Sequence, residues 1–282
     1  MPLKFSYIAL LLLCVSSCKE QNKDHSIEQP NSIENKIENT EFQSIIDSSD
    51  VKGSVVIYDL KKDIYYSNDF DWANQGRLPA STFKIANSII GLETGVIESD
   101  STIFKWNGED RWLDIWEQDL ALKGAFQYSC VPCYQEVASK INPERMNTYA
   151  EKLHYGDLHI DSLNIRNFWL EGTSRINQMQ QIDFLKRFYG NKLPISKRTK
   201  DIVQKIMIIN TENNYTVSGK TGLSIRSEKI NGWFVGYVEV ADNTYFFATN
   251  LEPFSSDINM NEFNKKRKSI TLSAFRKMDI IK

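Results

Sequence analysis

Histidine and cysteine are scarce in this chain: three of the first (His25, His154, His159) and four of the second (Cys14, Cys18, Cys130, Cys133) among 282 residues. None of them stands at a spacing that holds a transition metal, so a metal-dependent mechanism would have to use carboxylates alone. An excess of either charge is missing as well. Thirty-four Lys plus Arg face 36 Asp plus Glu for a net charge of −2, and no block of like charge is long enough for a nucleic-acid groove or a polybasic membrane patch. With 7 Pro and 13 Gly the collagen-like and low-complexity classes are excluded. What is present, 41% apolar and 12% aromatic residues, suffices for a full core. Small-molecule chemistry is the default.

The N-terminus reads as an export segment. Lys4 supplies one positive charge and Ile8 to Val15 is an unbroken apolar run, too short for the ~20 residues a bilayer crossing needs but of secretory-signal length. Val15-Ser16-Ser17-Cys18 resembles a bacterial lipobox, which implies cleavage before Cys18 and lipid on its thiol. No other segment is apolar enough to cross a membrane. Lys19 to Thr40 is rich in Asn, Gln, Glu and Lys, lacks aromatics and cannot offset its chain entropy by burial. The expected layout is therefore a signal peptide over 1–17, a disordered tether over 18–40 and one domain over 41–282.

Within that domain, Gly53 to Asp59 is β-branched and a turn at Leu60 to Asp63 leads to Ile64-Tyr65-Tyr66, which reads as a hairpin. Tyr215 to Lys220, Gly232 to Val240 and Thr244 to Asn250 read as three more strands, the last two joined through Ala241-Asp242-Asn243. Thr82 to Met207 has helical periodicity in several pieces, and Lys268 to Met278 fits a terminal helix. The class is α+β: an antiparallel sheet flanked by helices, with an inserted helical lobe.

Chemistry enters at Ser81-Thr82-Phe83-Lys84. A Ser and a Lys three residues apart on the first turn of a helix share a face, so the amine can take the hydroxyl proton while the helix N-terminus favours developing negative charge. Roughly one such pair is expected by chance in a chain this long, and its bland counterpart is an N-capping Ser beside a solvated Lys. Lys220-Thr221-Gly222, at the end of a strand, can offer an ammonium and a hydroxyl to a carboxylate, with Gly222 admitting a ligand backbone; a solvated strand end is the alternative. Ser129-Cys130-Val131 means nothing alone.

Together these segments, in order, resemble the penicillin-recognising serine enzymes and specifically the class D (oxacillinase) β-lactamases. The likeness extends to Gln127-Tyr128-Ser129, Val131-Pro132, Tyr134-Gln135-Glu136, Tyr155-Gly156, Phe168-Trp169-Leu170-Glu171-Gly172 and Gly232-Trp233-Phe234-Val235-Gly236-Tyr237, and covers about residues 42 to 282. It implies the transpeptidase-like fold and a set of roles. Ser81 is expected as the nucleophile and Lys84, carrying CO2 as a carbamate, as the base; the amides of Ser81 and Leu223 would form the oxyanion hole. Ser129 would pass a proton to the leaving nitrogen and Trp169 would hold the carbamate. Val131 and Leu170 would line the cleft, Gly222 would let the substrate approach the strand, and Lys220, Thr221 and Arg267 would receive the substrate carboxylate. The register of Arg267 in Asn264-Lys265-Lys266-Arg267-Lys268 is open by a residue or two. The implied partners are small-molecule β-lactams, with no nucleic acid, no cofactor beyond reversibly bound CO2, and membrane contact only through lipid on Cys18 at a periplasmic location.

Two departures from the family stand out. Tyr155-Gly156-Asp157 has Asp where Asn is usual, and Asp157 is expected to be hydrogen-bonded and structural. Cys130-Val131-Pro132-Cys133 occupies a place where small apolar residues are usual; the expectation is two free thiols packed as small hydrophobes rather than a disulfide. A D,D-peptidase or a non-catalytic β-lactam sensor shares the Ser-x-x-Lys chemistry and is the rival reading. Ser81→Ala should abolish hydrolysis and covalent labelling by penicillin while leaving the circular dichroism spectrum unchanged; a stable adduct on the Ala variant would refute the assignment of Ser81.

Overall fold

The computed structural model describes residues 35–282, apart from 213, 227, 228 and 256. Three long strands form the centre of the sheet: β2 (Val51–Asp59), β8 (Lys229–Val240) and β9 (Asn243–Pro253). Side chains on successive residues of a strand point to opposite faces, and here both faces are apolar. Val55, Ile57, Phe234, Val238, Phe247 and Leu251 belong to one cluster, while Val56, Tyr58, Trp233, Val235, Tyr237, Phe246 and Ala248 belong to the other. A sheet so patterned must be covered twice, which yields three layers.

In chain order the remaining elements are β1 (Lys36–Glu38), α1 (Thr40–Asp47), β3 (Ile64–Ser67), α2 (Phe70–Ala73), α3 (Lys84–Glu93), β4 (Ile103–Phe104), β5 (Leu120–Ala121), α4 (Leu122–Gln127), α5 (Val131–Ile141), α6 (Pro143–Leu153), α7 (Gln178–Tyr189), α8 (Lys197–Met207), β6 (Ile208–Thr211), β7 (Tyr215–Arg226) and α9 (Met260–Lys277). The sheet runs β1-β3-β2-β9-β8-β7-β6. All pairs are antiparallel except β1 with β3, which are parallel. Helices α1 and α9 cover one face through Phe42, Ile46, Phe263, Ile270 and Phe275. The helical lobe of α3 to α8 covers the other.

Local chemistry sets the helix starts. Asn177 and Gln180 form a reciprocal capping box on α7, Ser196 caps α8, and Asn142 caps α6 with Pro143 in its first turn.

Two expectations are corrected, and the helical middle comes in separate pieces as expected. Residues 36–38 lie inside the fold: Lys36 pairs with Tyr65 and Glu38 with Ser67, because an edge strand needs only backbone hydrogen bonds, which composition does not report. The earlier part of the tether and the export segment, Cys18 included, lie outside the described residues. The terminal helix starts at Met260, since Asn259 accepts from the Asn261 and Glu262 amides and Phe263 already faces the core. The helical middle is broken over 154–177, where Gly156 and Gly172 take φ of +63° and +84° and backbone bridges Arg77–Ile176 and Asp157–Arg175 hold an irregular segment against the domain.

Phe247 is fully buried between Phe234 and Phe275, with ring centroids at 4.7 and 5.7 Å. Phe247→Ala should cost about 3–5 kcal/mol through lost burial and the cavity left behind, roughly 6–20 °C in calorimetric Tm. A loss under about 1 kcal/mol would mean the α1/α9 layer closes over the gap.

Candidate active site

Ser81 lies in a single 3-10 turn, Ala80–Phe83, that runs directly into α3 at Lys84. Its neighbours are fastened on every side. The Ala80 amide, at φ +50°, donates to the Trp169 carbonyl at 2.7 Å. Thr82 Oγ1 donates to the Pro79 carbonyl at 2.6 Å and accepts from Gln181 Nε2 at 2.8 Å. Asn231 Nδ2 and Trp233 Nε1 both donate to the Leu78 carbonyl, at 3.0 and 2.9 Å. Strand β7 presses against this turn at Gly222. A Cβ there would lie 3.1 Å from the Thr82 methyl and 3.3 Å from Ala80 Cβ, closer than ordinary contacts, so glycine permits the approach.

Lys84 is fully buried and its Nζ lies 3.0 Å from Ser81 Oγ. Among the described residues no carboxylate pairs with the ammonium; desolvation lowers its pKa from 10.5 to about 7. Its surroundings are aromatic. Nζ stands 5.2 Å from the centroid of Tyr134, whose hydroxyl shares a 2.7 Å hydrogen bond with Ser88. Phe83 stacks on Trp169 at 5.8 Å and meets Phe168 edge-on at 4.9 Å. Trp169 is fully buried, and its indole N–H has no hydrogen-bond partner among the described residues.

Opposite Ser81, Lys220 Nζ donates to Ser129 Oγ at 2.9 Å and to the Thr221 carbonyl at 2.9 Å. Ser129 holds φ at +58°, a left-handed conformation that a serine rarely adopts. Arg267 is buried on α9 and reaches the same strand: its guanidinium donates to the Gly222 carbonyl at 2.6 Å. Arg267 is thus the member of the basic cluster that reaches β7 at Gly222. Room for its stem comes from Gly232, where a Cβ would lie 3.0 Å from Arg267 Cδ. Burial lowers the pKa of Lys220 well below its ordinary value, with the Lys84, Arg267 and Lys268 charges adding to the effect. Burial brings Arg267 down to about 10. Among the described residues no carboxylate pairs with Lys220, Arg267 or Lys268, so like charges are crowded here.

Val131 and Leu170 are half-buried beside the helical lobe and Thr221 is half-buried on β7. Leu223 turns its side chain to the α1/α9 layer, so only its backbone is available to the site. Two expectations fail. Cys130 and Cys133 are joined in a disulfide, their Cα atoms 5.4 Å apart, because the first turn of α5 brings residues three apart within bridging distance. Asp157 makes its structural contacts through the backbone alone. Its amide donates to the Arg175 carbonyl and its carbonyl accepts from the Arg175 amide, while the carboxylate is exposed beside His159.

Sequence reasoning missed Tyr134, Gln181 and Phe126, whose ring lies 5.7 Å from Lys220 Nζ. The family-like segment Tyr134-Gln135-Glu136 contained the only signal for the first of them. All three act across helix packing that no local pattern reveals.

Comparison with known proteins agrees with this geometry. A penicillin binding protein transpeptidase domain matches residues 33–271. The chain is 42% identical to Beta-lactamase OXA-48 of Klebsiella pneumoniae over 73% of its length and 77% of that protein. Identity to Beta-lactamase OXA-10 of Pseudomonas aeruginosa is 41%, covering 76% of this chain and 82% of that one. The crystal structure of a class D β-lactamase from Sebaldella termitidis superposes with a TM-score of 0.83 at 36% identity, over 88% of this chain and 99% of the other. A buried serine–lysine pair facing a lysine–threonine–glycine strand, on this fold and with these relatives, means that the chain belongs to the class D serine β-lactamase family.

Proposed function

We propose that this protein hydrolyses β-lactam antibiotics through an acyl-enzyme on Ser81. The observation that carries the reading is the Lys84 amine, fully buried without a counter-ion and 3.0 Å from the Ser81 hydroxyl. With its pKa near 7 the amine is substantially neutral at physiological pH and can accept the hydroxyl proton. Ser81 Oγ then attacks the lactam carbonyl carbon, and the amides of Ser81 and Leu223 are assigned to the developing oxyanion. As the C–N bond breaks, the leaving nitrogen takes a proton from Ser129, which Lys220 holds by a 2.9 Å hydrogen bond, and Ser129 is reprotonated at the expense of the Lys84 ammonium by way of Lys220, which leaves Lys84 neutral again. Neutral Lys84 then takes a proton from a water that adds to the ester carbonyl and passes it to Ser81 Oγ as the acyl C–O bond breaks, which releases the acid and restores both side chains. Lys220, Thr221 and Arg267 receive the substrate carboxylate, and Val131 and Leu170 border the cleft.

The family resemblance further supports a carbamate on Lys84, with the Trp169 N–H as its donor. The uncharged amine is the form that adds CO2, and the buried Trp169 N–H is an unpaired donor beside the apolar wall of Phe83 and Phe168. CO2 bound there supplies an anionic oxygen base in place of the amine. The apolar run before Cys18 further supports export by a signal peptide over 1–17 and lipid anchoring through Cys18 in the periplasm.

A chromogenic cephalosporin should be turned over well beyond one equivalent; stoichiometric labelling without turnover would point to a sensor, and failure on antibiotics with activity on D-Ala-D-Ala peptides to a transpeptidase relative. Because only the neutral amine is competent, activity should fall as pH drops through about 7, and bicarbonate should restore part of it. Labelled bicarbonate should give a 13C carbamate resonance that Lys84→Ala abolishes. Full activity in CO2-depleted buffer with no such resonance would leave Lys84 a plain amine base. Arg267→Ala removes a charge-assisted bond of about 1.5–3 kcal/mol, so kcat/KM should fall roughly 10- to 150-fold across penicillins, mainly through KM. An unchanged KM would place the carboxylate elsewhere.

A further inference from the structure

The disulfide sits in the wall of the site, and the reaction outlined above gives it no task. It joins the residue after Ser129 to the residue before Tyr134. Ser129 accepts from Lys220, and Tyr134 lies 5.2 Å from the Lys84 ammonium. The short covalent ring is thus flanked on each side by a side chain that touches one of the two buried lysines.

What Ser129 needs is a fixed backbone. Its φ of +58° is disfavoured for a residue with a Cβ and persists only where the surroundings over-determine it. Backbone bonds from the Ser129 amide to Phe126 O at 3.1 Å and from the Cys130 amide to Ala125 O at 2.9 Å hold one side. On the other side Cys130 is the N-cap of α5, its sulfur accepting the Cys133 amide at 3.2 Å and lying 3.9 Å from the Arg111 guanidinium. Sulfur is a weak acceptor compared with the oxygen of Ser, Asp or Asn, so hydrogen bonding alone would cap this helix poorly. The covalent bond supplies the missing constraint. A ring spanning so few residues removes few conformations from the unfolded chain, which makes its effect local geometry more than global stability. Both cysteines are buried, with 0% and 3% exposure, which suits a fixed strut and not an exchanging thiol pair.

We propose that the Cys130–Cys133 disulfide is a positioning element for acylation: it locks the start of α5 so that Ser129 keeps its left-handed backbone and its hydroxyl on Lys220. The proposal rests on the reading of Ser129 as the group that protonates the leaving nitrogen. Deacylation runs on the Lys84 side, where Tyr134 is held independently by Ser88.

The test compares the oxidised wild-type protein, the single variant Cys133→Ala and the double variant Cys130→Ala/Cys133→Ala, with thiol content fixed by alkylation and mass spectrometry. Acylation and deacylation rate constants for a penicillin are measured separately by quenching and intact-mass analysis, beside thermal unfolding. Both variants should lose about ten- to hundredfold in acylation while deacylation stays within about twofold and Tm shifts little. Unchanged acylation, or both steps and Tm falling together, overturns the proposal, as does a single variant that acylates like wild type, since the capping sulfur alone would then suffice. If the variants are recovered unfolded, wild-type protein reduced by excess dithiothreitol is read by the same two constants. Each bridge then takes two electrons and two protons from the dithiol, which leaves as its cyclic disulfide. Wild-type protein that forms no penicillin adduct at all would refute the hydrolase reading instead. Amide exchange at residues 129–134 would still decide the locking, which is upheld if exchange is faster without the bond and overturned if it is unchanged.

Discussion

The burial of one amine organises this molecule. Lys84 is placed where water does not reach and no carboxylate compensates it, and an uncompensated buried charge is among the most expensive things a fold can contain. The protein answers by letting the amine approach neutrality, which is also the state in which it can take a proton. Tyr134 sets an aromatic ring beside Lys84, whose chain neighbour Phe83 packs on Phe168 and Trp169. Their supports, from Ser88 to the irregular segment 154–177, keep those rings in place.

Several unfavourable features gather around that amine. Ala80 and Ser129 sit at positive φ, the Trp169 N–H is buried without a partner, and Lys220, Arg267 and Lys268 crowd like charges together. Each costs stability; an anion bound beside Lys220 and Arg267 would offset the crowding of like charge, while the strained backbone is held by the packing around it. The two-sided core holds them in place. Phe234, Phe247 and Phe275 on one face, with Trp233, Tyr237 and Phe246 on the other, bury enough apolar surface to impose local strain.

Glycine at two sheet positions turns that rigidity into proximity. Gly222 lets β7 lie against the turn that bears Ser81, and Gly232 lets Arg267 cross from α9 toward the same strand. Helix α9 belongs to the layer on the far side of the sheet, yet it delivers a cation to the site through this gap. The cations proposed to receive the substrate carboxylate therefore come from two separate parts of the chain, β7 and α9.

The strands around Val55, Val235 and Phe247 and the pairing of Ser81 with Lys84 were legible in the residues, because period-2 burial and an i, i+3 spacing are local properties. The Ser129, Lys220 and Trp169 assignments came from segment likeness, since their partners lie 91 residues apart for Lys220–Ser129 and no local pattern encodes such contacts. Composition misjudged residues 36–38, for edge pairing uses the backbone, and it misjudged Asp157, whose exposed carboxylate leaves the work to its amide and carbonyl. Spacing alone could not decide the disulfide either, since it depends on the helix that begins at Val131. By itself the sequence determined the strand pattern and the spacing of Ser81 and Lys84. Only the tertiary structure decided that Lys84 is dry, that Arg267 rather than a neighbouring lysine reaches Gly222, and that the two cysteines meet, because burial and long-range contact are properties of the packed chain.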